Sequence, residues 1–113
     1  MKKIMIVDDE PHVMRMNEKI LKDKGFETVL CESGNEALLV LESGVVVDLV
    51  FIDLHMPDGN GIFLIKEVKK RFPNVPCILQ TGALEIPENE ADSVLKKPYY
   101  WHELIALVNK HAL

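Results

Sequence analysis

At 113 residues, 48% hydrophobic and 27% charged, the chain has the size of one domain, residues 1–113, around one core, and its composition excludes a disordered tract or a membrane-embedded protein. A net charge of −5 argues against a nucleic-acid surface, which depends on clustered Lys and Arg to neutralise phosphates. Lys66, Lys69, Lys70 and Arg71 form the one dense basic cluster, and it reads as a helix end with cations at the negative pole of the helix dipole.

The start, Met1-Lys2-Lys3-Ile4-Met5-Ile6-Val7, loses its apolar run at Asp8-Asp9-Glu10, too soon for a signal-peptide core, and no stretch approaches membrane-span length. A cytoplasmic protein is expected, with no membrane insertion. Cys31 and Cys77 are single cysteines within apolar strands and imply core positions, neither a disulfide nor a metal site. His12, His55, His102 and His111 share no metal-ligand spacing.

In chain order, residues 4–7 form a short apolar strand ending in acids. Pro11 suits a first helical position, and Val13, Met16, Ile20 and Leu21 carry a helix over 11–24 that Gly25 can close in a left-handed conformation. Thr28–Cys31 is the second strand. Ser33 then caps a helix through Glu42 with Ala37, Leu38 and Leu41 on one side, ended by Gly44. Leu49-Val50-Phe51-Ile52-Asp53 is a continuous apolar run into one carboxylate, the pattern of a central parallel strand covered on both faces. The Met56-Pro57-Asp58-Gly59 turn follows it. Asn60 caps a third helix with Gly61, Ile65, Val68 and Phe72 on its apolar side, and Cys77–Thr81 is the fourth strand.

Residues 82–92, with Pro87 and four acids, predict at most one short irregular turn where strict alternation would place a fourth helix. A fifth strand falls near Val94-Leu95. The segment from Tyr99 to Leu113 is an amphipathic helix with Trp101, Leu104, Ile105, Val108 and Ala112 on one face, Trp101 serving as its anchor. Five strands alternating with helices predict a three-layer α/β sandwich with right-handed crossovers.

Strand ends in such a sheet share one edge, which is where ligands bind. Asp8 and Asp9 follow strand one, Asp53 ends strand three, Thr81 ends strand four and Lys97 follows strand five. Clustered carboxylates repel one another unless a cation lies between them, and hard oxygen donors suit Mg²⁺. An aspartate beside that ion can act as a nucleophile toward phosphorus, with Lys97 and the Thr81 hydroxyl reaching other phosphoryl oxygens.

The fragments Ile6-Val7-Asp8-Asp9-Glu10, Asp53-Leu54-His55-Met56-Pro57 with Gly61, Gln80-Thr81-Gly82 and Lys97-Pro98 stand in one order across the chain. Together they resemble the receiver domain of bacterial two-component response regulators. The resemblance implies a flavodoxin-like fold with strand order 2-1-3-4-5, Asp53 as phospho-acceptor, and Mg²⁺ held by Asp8, Asp9, Asp53 and the backbone carbonyl of His55. It also implies Thr81 as the switch hydroxyl, Lys97 as the lysine that reads the phosphate, and a cis Lys97-Pro98 peptide. The partners implied are a sensor histidine kinase or histidine phosphotransfer protein, docking by helix one with Met14 and Met16, and a downstream output protein or domain. Such a protein catalyses only its own phosphorylation and dephosphorylation and does not act on other substrates.

Two positions depart from the family pattern. Val94 stands three before Lys97, where the family carries Tyr or Phe, and the interval from Thr81 to Lys97 is shortened at the fourth helix. Both fall where such proteins present their output face. Three alternatives stand beside this reading. A Mg²⁺-dependent phosphatase with an aspartate nucleophile wants a second Asp where this chain has His55. A nucleotide-binding fold wants glycines where this chain has Asp8 and Asp9. A degenerate receiver would serve as an interaction module only.

Overall fold

The structure, a computed structural model, describes residues 1–112. Strands β1 (Lys3–Val7), β2 (Glu27–Cys31), β3 (Leu49–Asp53), β6 (Cys77–Thr81) and β7 (Ser93–Lys96) form one parallel sheet in the order β2-β1-β3-β6-β7. A two-residue hairpin, β4 (His55–Met56) and β5 (Gly59–Asn60), interrupts the count between β3 and β6. With the hairpin set aside, the order is the expected 2-1-3-4-5, the flavodoxin-like arrangement.

Helices α1 (Pro11–Asp23), α2 (Gly34–Glu42), α3 (Gly61–Arg71) and α4 (Trp101–His111) connect the strands. Alternate residues of each strand face opposite layers. Met5, Val7, Val50, Ile52, Cys77 and Leu79 bury against Ala37 and Leu41 of α2 and Leu64, Ile65 and Val68 of α3. Ile4, Ile6, Leu49, Phe51, Ile78 and Leu95 bury against Met14 and Leu21 of α1 and Leu104 and Val108 of α4. Every residue of β3 is buried, as a strand at the sheet centre requires. Burying each of its large apolar side chains contributes about 1.5–3 kcal/mol before entropy is set against it.

The local signals for the helix ends hold. Ser33 Oγ accepts the Glu36 N–H at 3.1 Å and Asn60 Oδ1 accepts the Phe63 N–H at 3.0 Å. Gly25 takes φ +90° after α1, a conformation open to glycine at no steric cost. Both cysteines are free and buried. The basic end of α3 is tied to acids: Lys69 to Asp92 at 2.5 Å, and Arg71 to Glu42 and Glu67.

Residues 82–92 contain no helix, and Ala83, Ile86 and Ala91 lay this coil against the α2–α3 layer. Two expectations are corrected. Trp101 is 51% exposed and does not anchor α4; Tyr99, just outside the helix, packs into the α1–α4 layer instead, edge-on to Phe51. Trp101 lies sideways against α1, under the Lys24 ammonium at 4.6 Å. On α1 the buried positions are Met14, Asn17 and Leu21, so Met16 alone of the methionine pair faces outward. No helix is long and apolar enough to cross a membrane among the described residues.

Candidate functional site

Parallel register carries Asp8, Asp53, Thr81 and Lys97 to one edge of the sheet. Val7 pairs with Cys31 and Ile52, Asp53 with Gln80, and Thr81 with Lys96. Asp8 and Asp9 leave β1 before Pro11 starts α1, and Asp53 is the last residue of β3. The acidic oxygens of Asp8, Asp9 and Asp53 lie within 4.8 Å of one another.

Asp8 is fully buried and Asp53 nearly so, while Asp9 is exposed. Burial pushes the Asp8 carboxyl above its ordinary range, with the neighbouring Asp53 charge adding to the rise and the Glu10 N–H, at 2.9 Å from Oδ1, opposing it. Lys97 Nζ donates to Asp53 Oδ1 at 2.9 Å. Thr81 is buried, and its Oγ1 accepts the Ala83 N–H at 3.0 Å, which leaves its own proton available to a further acceptor. The side chain of His55 is exposed, and its carbonyl follows Asp53 by two residues on the hairpin strand β4. The Lys97-Pro98 peptide is cis.

Three carboxylates, one open to solvent, converge beside the Lys97 ammonium and form a donor set of hard oxygens suited to Mg²⁺, which takes one or two carboxylates and keeps waters or phosphate oxygens as its other ligands. The raised Asp8 fits such an occupant, because a cation offsets the cost of burying that charge.

Residues 4–109 match the response regulator receiver domain. The chain belongs to this family. The DNA-binding transcriptional regulator NtrC of Salmonella typhimurium is 31% identical, aligned over 95% of this chain and 24% of that protein. CpxR of Klebsiella pneumoniae is also 31% identical, over 96% of this chain and 48% of that protein. The chain thus spans about half or less of the length of these curated relatives.

Among solved structures, the response regulator TrrA of Thermotoga maritima, crystallised in complex with Mg²⁺–BeF, superposes with TM-score 0.91 at 32% identity over the whole of both chains. A CheY-like receiver from Methanospirillum hungatei gives TM-score 0.92 at 26% identity, covering 99% of this chain and 94% of that one. On β7, Val94 is 37% exposed, at the position where the family resemblance led to an aromatic being expected.

The site also contains residues to which the sequence alone assigned no role there. Gln80 Nε2 donates to Asp8 Oδ2 at 3.0 Å, the Tyr99 hydroxyl lies 2.9 Å from Gln80 Oε1, and Asn17 Nδ2 donates to the Tyr99 oxygen at 3.0 Å. Two signals were present: a glutamine inside an otherwise apolar strand run, and an asparagine three and four residues from the buried Met14 and Leu21 on one face of α1. Asp58, in the turn after β3, is a further case. Its carboxylate accepts the Gly34 and Asn35 N–H groups at 3.2 and 2.7 Å, and these bonds, that of Asn35 foremost, hold its carboxyl below the ordinary range. The hairpin turn is thereby pinned to the N-terminus of α2.

Proposed function

We propose that the chain is a phosphorylation-dependent signalling receiver in which Asp53 accepts a phosphoryl group, with Mg²⁺ at Asp8, Asp9, Asp53 and the His55 carbonyl. The observation that carries this reading is the contact of Lys97 Nζ with Asp53 Oδ1 beside a cluster of three carboxylates. An oxygen of Asp53 forms the new P–O bond as the bond from phosphorus to the donor breaks, and the donor's leaving group departs with the electron pair. A bound Mg²⁺ supplies charge neutralisation at the phosphoryl oxygens. Lys97 is placed to transfer its ammonium from the carboxylate to a phosphoryl oxygen, and Thr81 can turn its free proton to another.

The donor in this reading is a phosphohistidine on a kinase or phosphotransfer protein, in the cytoplasm. Its docking surface is the outward side of α1, where Met16 and Ile20 face Tyr100 and Trp101 across an open groove. The added charge of about −2 then biases the strand-end loops between two arrangements. With 82–92 a coil and Val94 on β7, the output passes through this strap and not through a helix between β6 and β7 and an aromatic switch. The protein modifies itself and transforms no other substrate.

The test is intact-protein mass after incubation with acetyl phosphate, with Mg²⁺ and with chelator. One phosphoryl adduct that requires Mg²⁺ and disappears in Asp53→Asn is the expected result. An adduct that persists in the variant at the wild-type level overturns the assignment.

A further inference from the structure

We propose that Gln80, Tyr99 and Asn17 are positioning residues for the cation site: a one-directional chain of hydrogen bonds, part-buried at Tyr99 and buried at Asp8, runs from α1 to Asp8 and fixes the carboxylate that the cation needs. The inference rests on the proposed Mg²⁺ site and adds to it residues that lie outside the acidic cluster.

The direction of the chain follows from donor and acceptor inventory. Asn17 and Gln80 are fully buried, so each of their amide groups must find a partner within the protein. Gln80 Nε2 faces the Asp8 carboxylate, an acceptor only, and the Gln80 carbonyl therefore faces the Tyr99 hydroxyl. The single proton of that hydroxyl goes to Gln80 Oε1 at 2.9 Å, closer than Asn17 Oδ1 at 3.2 Å, while Asn17 Nδ2 donates to the hydroxyl oxygen at 3.0 Å. Every donor points toward Asp8. The order is Asn17 to Tyr99, Tyr99 to Gln80, Gln80 to Asp8.

Asp8, which only accepts, sets the orientation of the chain, and Tyr99 is the member that completes it. Its hydroxyl holds the Gln80 carbonyl away from Asp8; the reversed amide would set an oxygen against the carboxylate oxygen. With Glu10 N–H on Oδ1 and Gln80 on Oδ2, the Asp8 carboxylate is held from two sides and its remaining lone pairs are turned in a fixed direction. Mg²⁺ demands near-octahedral geometry, so the placement of a buried carboxylate decides affinity, and losing a residue that orients a ligand costs about 10–100-fold in metal binding.

The test measures Mg²⁺ dissociation constants by calorimetry on wild type, Asp8→Asn, Tyr99→Phe, Gln80→Leu and the double variant. Tyr99→Phe keeps the ring that packs on Phe51 and serves as the variant that folds as the parent does. Expected is Mg²⁺ binding in wild type, its loss in Asp8→Asn, and about 10-fold weaker binding in Tyr99→Phe and in Gln80→Leu. The double variant should be no weaker than the weaker single, since both changes break one chain; independent packing defects would instead add. Wild-type affinity in folded Tyr99→Phe, or additive losses in the double variant, overturns the positioning role while leaving the cation site intact. Absence of Mg²⁺ binding in wild type overturns the site itself, and this inference with it.

Discussion

Gly61 and Asp8 are the two residues at which the site depends most on single atoms. A Cβ on Gly61 would lie 2.3 Å from the Asp53 carbonyl oxygen and 2.8 Å from Ile52 Cγ2, so the start of α3 can approach the end of β3 only without a side chain. Gly61→Ala is expected to cost about 1–3 kcal/mol in denaturant unfolding by overpacking; wild-type stability would show that α3 shifts freely there. At Asp8, burial holds the folded carboxyl above its ordinary value of 3.8. Its contribution to stability is therefore full below the ordinary range and lost as pH rises through the raised value. With chelator present, the stability of Asp8→Asn relative to wild type should improve as pH rises from below 3.8 to neutrality; a difference independent of pH would contradict the raised value. The sequence placed Asp8, Asp53 and Lys97 together through strand-end logic alone. Gln80, Asn17 and Tyr99 escaped because their partners lie up to 82 positions away, and only packing brings them into contact.

At the scale of elements, the edge of the sheet opposite the site is held by Asp92, which accepts the Lys69 ammonium at 2.5 Å and the Cys77 N–H at 2.7 Å. Burial pushes its carboxyl up, and these two partners outweigh burial and hold it below the ordinary range. Such a group stabilises above its unfolded pKa, and the contribution is lost as pH falls through the folded value. Asp92→Ala should cost about 1–2 kcal/mol at neutral pH, since it strands a buried strand N–H, and the cost should shrink in acid; a cost that grows in acid would contradict the assignment. All five main strands and the coil at 82–92 were legible, because apolar runs and Pro87 with its acids speak locally. The anchoring of α4 was not. Periodicity put Trp101 on the apolar face, but Trp101 opens the helix half-exposed, and Tyr99, two residues before it, packs into the layer instead. The hairpin β4–β5 was read as a plain turn, since its tie from Asp58 to α2 spans 23 and 24 residues.

At the scale of the molecule, the acidic edge joins folding to ion binding. Mg²⁺ at about 100 times its dissociation constant should stabilise the fold by about 2.7 kcal/mol. That gain should fall as pH is lowered, because a proton on Asp8 competes with the ion. A thermal midpoint indifferent to Mg²⁺ at neutral pH would contradict the cation site. The central claim is that phosphoryl transfer ends on one particular carboxylate. Its most direct test is to treat the protein with acetyl phosphate and Mg²⁺, reduce any acyl phosphate with borohydride, and map the resulting alcohol by peptide mass spectrometry. Conversion of Asp53 to homoserine, with Asp8 and Asp9 unchanged, is the predicted result; reduction at any other carboxylate, with Asp53 intact, would contradict it.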